Sequence, residues 1–118
     1  MLENQTITAI VPAYNEAPRL SQVLKVLKNL QFIDEILVID DGSRDETARV
    51  SSKLGVEVLR HSKNKGKGAA LVSGIRNKSE SDIYLFLDAD LIHLNEKHIY
   101  DLVKPIINGR YIISSIYM

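Results

Sequence analysis

The sequence predicts an α/β domain built on a doubly wound, mainly parallel sheet. Apolar, β-rich runs alternate along the chain with segments of helical periodicity, the order expected of βαβ units. The runs are apolar throughout rather than at every second residue, as in strands covered on both faces. Four of the runs lead into polar loops carrying acids, glycines and lysines. Right-handed crossovers place such loops along one edge of a parallel sheet, where ligands bind.

The elements follow in order. Thr6–Val11 is a β-rich run ended by Pro12, followed by the polar loop 13–18. Arg19–Leu30 carries Leu20, Val23, Leu24, Leu27 and Leu30, the apolar stripe of an amphipathic helix. Glu35–Asp40 is the second strand, stopped by Asp41-Gly42-Ser43. Ser43 and Glu46 have capping-box spacing, and the helix they open is expected to stop at Gly55. Val56–Leu59 reads as strand three, with a helix from the Gly66-Lys67-Gly68 turn to Asn77. Ile83–Asp88, a helix over Asn95–Ile107 and an apolar run Tyr111–Ile116 complete about five strands, all within one domain spanning residues 1–118.

The 118 residues contain 15 Lys+Arg and 15 Asp+Glu, giving zero formal net charge, with 45% hydrophobic and 25% charged residues. This is an ordinary globular composition, with length enough for one core. Neutrality gives no basis for expecting nucleic acid or an anionic membrane as partner. With no cysteine there is no disulfide, thiolate metal site or thiol nucleophile. No apolar run approaches the roughly 18 residues of a membrane span, and the first residues do not read as a signal peptide. A cytoplasmic location is expected.

The chemistry gathers at the strand ends. Asp88-Ala-Asp90 sets two carboxylates one residue apart where a strand becomes a loop, a pattern suited to a hard cation such as Mg²⁺. Asp41 reads either as a turn and helix-entry acid or as an acceptor for a ligand N–H. Gly66-Lys67-Gly68 can bring backbone amides and a lysine to phosphate at a helix start; equally, it can be a flexible helix entry. It is neither a Walker A loop nor a dinucleotide fingerprint. His61, His93 and His98 are too scattered for a metal triad. Ser43, Asp41 and His61 can be assembled into a hydrolase-like triad, but no nucleophile elbow supports it.

Together, Ile10-Val-Pro-Ala-Tyr-Asn-Glu16, Val38-Ile-Asp-Asp-Gly-Ser43, Asn64-Lys-Gly-Lys-Gly68 and Leu87-Asp-Ala-Asp90 resemble the family 2 glycosyltransferases over essentially the whole chain. The resemblance implies the GT-A fold and inverting transfer from a nucleotide-diphospho-sugar, a UDP- or GDP-sugar. It implies that Pro12, Tyr14 and Glu16 line the nucleoside pocket, that Asp41 bonds the base, and that Lys67 lies near base or phosphates. It assigns Asp88 and Asp90 as the DxD pair, contacting ribose and a diphosphate-bound Mg²⁺ or Mn²⁺.

Family members normally continue into an acceptor-side half that supplies the catalytic base, so this chain is expected to represent a GT-A domain truncated after about five strands. The alternative reading is a non-catalytic nucleotide-binding or interaction module. An open sheet edge would favour a homodimer, and a lipid-phosphate acceptor is compatible with the family. Ile92 stands where dolichyl-phosphate mannose synthases commonly carry Gln, which argues against that branch. A receiver-domain reading of Ile36–Asp41 and Leu85–Asp88 fails because a complete strand and helix precede Ile36.

Overall fold

A computed structural model describes residues 5–89 and 111–113. The elements are β1 (Ile7–Ala13), α1 (Ala17–Lys28), β2 (Glu35–Asp40), α2 (Thr47–Lys53), β3 (Glu57–Arg60), α3 (Lys67–Asn77), β4 (Ile83–Phe86) and β5 (Tyr111–Ile113). They form one five-stranded sheet of order β3-β2-β1-β4-β5, and every pairing is parallel. The predicted doubly wound α/β class is therefore observed. The expected helix over 95–107 and the last residues of the fifth run lie outside the described residues.

Period-two alternation divides the core between the two faces of the sheet. Ile7, Ala9, Val11 and Ala13 of β1 join Val38, Ile83 and Leu85 in one cluster, under Leu20, Val23, Leu24 and Leu27 of α1. Ile10, Leu37, Ile39 and Tyr84 point the other way and pack with Ala70 of α3. The four α1 residues are those of the predicted stripe, and each such burial contributes about 1.5–3 kcal/mol. On the second face α3 lies close to β1: a Cβ on Gly74 would sit 2.7 Å from Ile10 Cδ1. Only glycine permits that approach without a shift in Ile10.

Two local expectations are corrected. Pro12 does not end the first strand but lies within β1, in register with Ile39 of β2. The β1–β4 register extends only to Ile10, so at Pro12 one flank of the strand is outside the ladder and a missing N–H is tolerated. The Ser43–Glu46 capping box does not form. Helix α2 starts later, at Thr47, and the Asp45 carboxylate accepts the Thr47 N–H at 2.9 Å. Glu46 faces Arg49 instead, in an exposed pair at 3.3 Å. The Gly55 stop is as expected, with φ +75°.

The chain steps from β1 outward to β2 and β3, then returns to place β4 on the opposite flank of β1. This reversal creates a switch point between β1 and β4, and open parallel sheets bind ligands beyond the carboxyl ends of the strands at such points.

Candidate functional site

Four loops meet at that edge: residues 14–16 after β1, 41–46 after β2, 61–66 after β3, and 87–89 after β4. The first two are laced together. Asn15 adopts φ 52°, a left-handed conformation that Asn tolerates better than most residues. Its N–H donates to Ser43 Oγ at 2.9 Å, and its side-chain oxygen accepts the Arg44 N–H at 2.9 Å. The Glu16 N–H donates to Thr47 Oγ1 at 3.2 Å, and Asp45 also accepts the Ala17 N–H. This lacing fixes the segment that carries Tyr14.

The second and third loops converge on Asp41. Its N–H donates to Ala13 O, continuing the β1–β2 pairing. One carboxylate oxygen accepts the Lys65 N–H at 2.9 Å and faces His61 Nδ1 at 2.8 Å. The other accepts the Gly66 N–H at 2.8 Å. Burial alone would push this carboxyl up; the bond to His61, the two amides and charge on the imidazole outweigh it and hold Asp41 below the usual carboxylate range. Gly66, with φ 95° and ψ 167°, occupies a backbone region essentially restricted to glycine. Gly42 is equally constrained: at φ +79°, its Cβ would lie 2.6 Å from the Lys63 carbonyl carbon.

Asp40 is the more buried of the acidic pair, at 0% exposure against 5% for Asp41. One of its carboxylate oxygens accepts the Ser43 N–H at 2.9 Å. The other makes no hydrogen bond and lies 3.6 Å from Arg60 Nε. The fourth loop supplies Asp88, whose carboxylate meets Lys67 Nζ at 2.9 Å. Lys67 stands at the first position of α3, directly after the turn that Asp41 organises.

Of the residues implicated by sequence, the fold brings Asp41, the Gly66 turn, Lys67 and Asp88 onto one rim. Tyr14 is exposed at its edge, at 47%. Pro12 is buried within β1, and Glu16 pairs with Arg19 at 3.7 Å. Asp90, the second acid of the DxD pair, lies outside the described residues. Among the described residues no group of three or more His, Asp or Glu side chains is placed to hold a metal. Asp88 remains a half-exposed hard-oxygen donor, and Mg²⁺ commonly takes only one or two protein carboxylates alongside substrate phosphates. Two cavities of about 350 and 300 Å³ lie at the opposite end of the strands, lined by residues such as Glu35, Glu57 and Lys78. No helix among the described residues is long and apolar enough to cross a membrane.

Sequence reasoning did not anticipate the roles of Asn15, Asp45 and Ser73. Asn after Tyr14 was a readable signal for a left-handed residue. By sequence, Ser43 is the triad partner available to His61. The structure instead places its Nε2 2.8 Å from Ser73 Oγ, while Ser43 is committed to Asn15.

Comparison with known proteins agrees with this architecture. The sequence profile described as glycosyl transferase family 2 matches residues 8–118. The UDP-N-acetylglucosamine–dolichyl-phosphate N-acetylglucosaminyltransferase of Methanococcus voltae is 30% identical over 97% of this chain. The dolichol-phosphate mannosyltransferase of Pyrococcus furiosus is 38% identical over 87% of it. The chain spans 53% and 30% of those relatives' lengths. Among solved structures, the glucosyl-3-phosphoglycerate synthase of Mycobacterium tuberculosis, in complex with Mn²⁺, UDP and glucosyl-3-phosphoglycerate, superposes with a TM-score of 0.78 at 29% identity. That match covers 90% of this chain and 41% of the mycobacterial one. The same enzyme has also been crystallised with Mn²⁺ and UDP-glucose. In sequence and in fold, the chain belongs to glycosyl transferase family 2 and carries the GT-A architecture.

Proposed function

We propose that this chain binds a nucleotide-diphospho-sugar, a UDP- or GDP-sugar, along the carboxyl rim of its sheet and forms the donor half of an inverting glycosyltransferase. The observation that carries the reading is the 2.9 Å meeting of Lys67 and Asp88, beside a glycine turn gathered by Asp41, at the switch point of the sheet. In this reading Tyr14 borders the nucleoside, Asp41 lies at the base, and Lys67 turns from Asp88 toward the diphosphate. Pro12 and Glu16 support the same loop. Support comes from the mycobacterial relative, which binds UDP and UDP-glucose.

A divalent ion, Mg²⁺ or Mn²⁺, would be held by Asp88 and Asp90 and would neutralise charge on the departing diphosphate. Lys67 adds a positive charge on the same side. Transfer to an acceptor also requires a base, and none is assigned among the described residues. The curated relatives that act on dolichyl phosphate favour a lipid-phosphate acceptor, although Ile92 argues against the mannose synthase branch.

Amide chemical-shift mapping with UDP and with GDP, each with diamagnetic Mg²⁺, tests the placement. Shifts concentrated at Tyr14, Asp41, Gly66 and Lys67 are expected. Shifts confined to the opposite end, around Glu35 and Glu57, would place the ligand elsewhere and overturn the reading.

A further inference from the structure

His61 is buried, at 8% exposure, on a loop whose next four residues are exposed. Its ring is held at both nitrogens: Nδ1 lies 2.8 Å from Asp41 and Nε2 lies 2.8 Å from Ser73. Its own N–H donates to Asp40 O at 2.8 Å, so main chain and ring are both fixed. A neutral imidazole with its proton on Nδ1 donates to Asp41 and accepts the Ser73 hydroxyl. A protonated ring donates to both. Either state satisfies every partner.

The order Ser–His–Asp resembles a hydrolase triad, but the geometry does not serve nucleophilic attack. Ser73 lies in the interior of α3, where neighbouring amides are engaged in the helix and leave no oxyanion donors. The Asp41 carboxylate is moreover shared with two loop amides. The chain of contacts instead runs from a helix, through a ring, to the carboxylate that folds the glycine turn.

We propose that His61 is a positioning residue for the donor pocket. Through Nδ1 its ring fixes the Asp41 carboxylate where it gathers the Lys65 and Gly66 amides, and thereby holds the turn that presents Lys67 to Asp88. Gly66 adopts a conformation found almost only in glycine, so the turn depends on bonds such as these to stay in one shape. The consequence for donor binding rests on the nucleotide-sugar reading above; the consequence for the turn does not.

Two substitutions separate the ring's two contacts. His61→Asn places an amide near the Nδ1 position and can still donate to Asp41, but it cannot reach Ser73. His61→Gln reaches toward Ser73 and leaves Asp41 without its side-chain donor. Native-state hydrogen exchange followed by NMR reads the turn directly. In His61→Gln the Lys65 and Gly66 amides are expected to exchange about 10- to 100-fold faster, the size of a lost charge-assisted bond. The Ile10 and Leu37 amides of the sheet should be unchanged. In His61→Asn the two loop amides should stay within about threefold of wild type. Equal acceleration in both variants, or in neither, would mean that the ring merely fills space and would overturn the proposal.

Titration with UDP and GDP in the presence of Mn²⁺ supplies the second arm. About tenfold weaker binding is expected for His61→Gln, with near-normal binding for His61→Asn. Indistinguishable affinities for the two variants would remove His61 from the pocket. Failure of the wild-type chain to bind either nucleotide would defeat the donor reading alone, because the exchange pattern decides the role of His61 in the turn independently.

Discussion

Replacing Gly42 by Ala should be among the most damaging single-methyl changes at the rim. Two costs combine. At φ +79° an L-residue carries a left-handed penalty of roughly 1–2 kcal/mol. In addition, the new Cβ would lie 2.6 Å from Lys63 C, 2.7 Å from Asn64 N and 2.9 Å from Lys63 Cα. These are all backbone atoms, so relief requires moving the loop that Asp41 holds through Lys65 and Gly66. Overpacking of that kind costs about 1–3 kcal/mol, giving roughly 2–5 kcal/mol in all. Two control glycines separate the contributions. Gly55 shares the positive φ, at +75°, but its Cβ would meet only the Lys28 ammonium at 3.7 Å, so Gly55→Ala should cost only about 1–2 kcal/mol. Gly68 has neither constraint, and Gly68→Ala should be neutral or stabilising by up to about 1 kcal/mol. Urea unfolding of the three variants measures the series. If Gly42→Ala costs no more than Gly55→Ala, the two loops do not touch as described.

Other expectations follow from the same contacts. The carboxyl of Asp41 is held below its unfolded value, so its contribution is full above an unfolded pKa near 3.9 and is lost as pH falls through the lower folded value. Urea midpoints measured from pH 7 to pH 2.5 should fall at the acid end, and less steeply in Asp41→Asn; equal slopes would mean that the group is not perturbed. Gly74→Ala should cost about 1–2 kcal/mol, since overpacking against Ile10 exceeds the gain in helix propensity. In an Ile10→Val background, which removes the atom at 2.7 Å, part of that cost should disappear, and strict additivity would contradict the close approach of α3 to β1. The exposed Lys67–Asp88 pair (73% and 38% side-chain exposure) should matter little to folding. Lys67→Met is therefore expected to leave urea stability within about 0.5 kcal/mol of wild type while weakening UDP binding with Mn²⁺ several-fold; the reverse pattern would make Lys67 a structural residue.

The sheet and its first helix were legible because their signals are local and repeated. Leu20, Val23, Leu24 and Leu27 mark a helical face on their own, and Glu35–Asp40 matches the observed β2 residue for residue. Pro12 was misplaced because a proline's tolerance depends on which neighbour strand reaches it, and the sequence does not say that β4 pairs with β1 only as far as Ile10. The capping box at Ser43 failed for a similar reason. Its hydroxyl is taken by Asn15, 28 residues earlier, and that non-local bond competes with the local one. Asp41 had two sequence readings, a turn acid or a ligand acceptor. Neither anticipated that it folds the loop after β3, because that role is set by amides 24 and 25 residues away. The pairing of His61 with Ser73 likewise depends on how α3 is seated over β1. Grouping of the strand-end motifs on one rim was readable, since parallel topology alone enforces it.

Donor binding at the carboxyl rim is tested most directly by calorimetric titration of the wild-type chain with UDP and with GDP, each with and without Mn²⁺, alongside Asp88→Ala. Saturable one-site binding of at least one nucleotide, strengthened by Mn²⁺ in the wild type and insensitive to Mn²⁺ in Asp88→Ala, is expected. No binding of either nucleotide to the folded wild-type chain at millimolar concentration, or an Mn²⁺ effect that survives in Asp88→Ala, would contradict it.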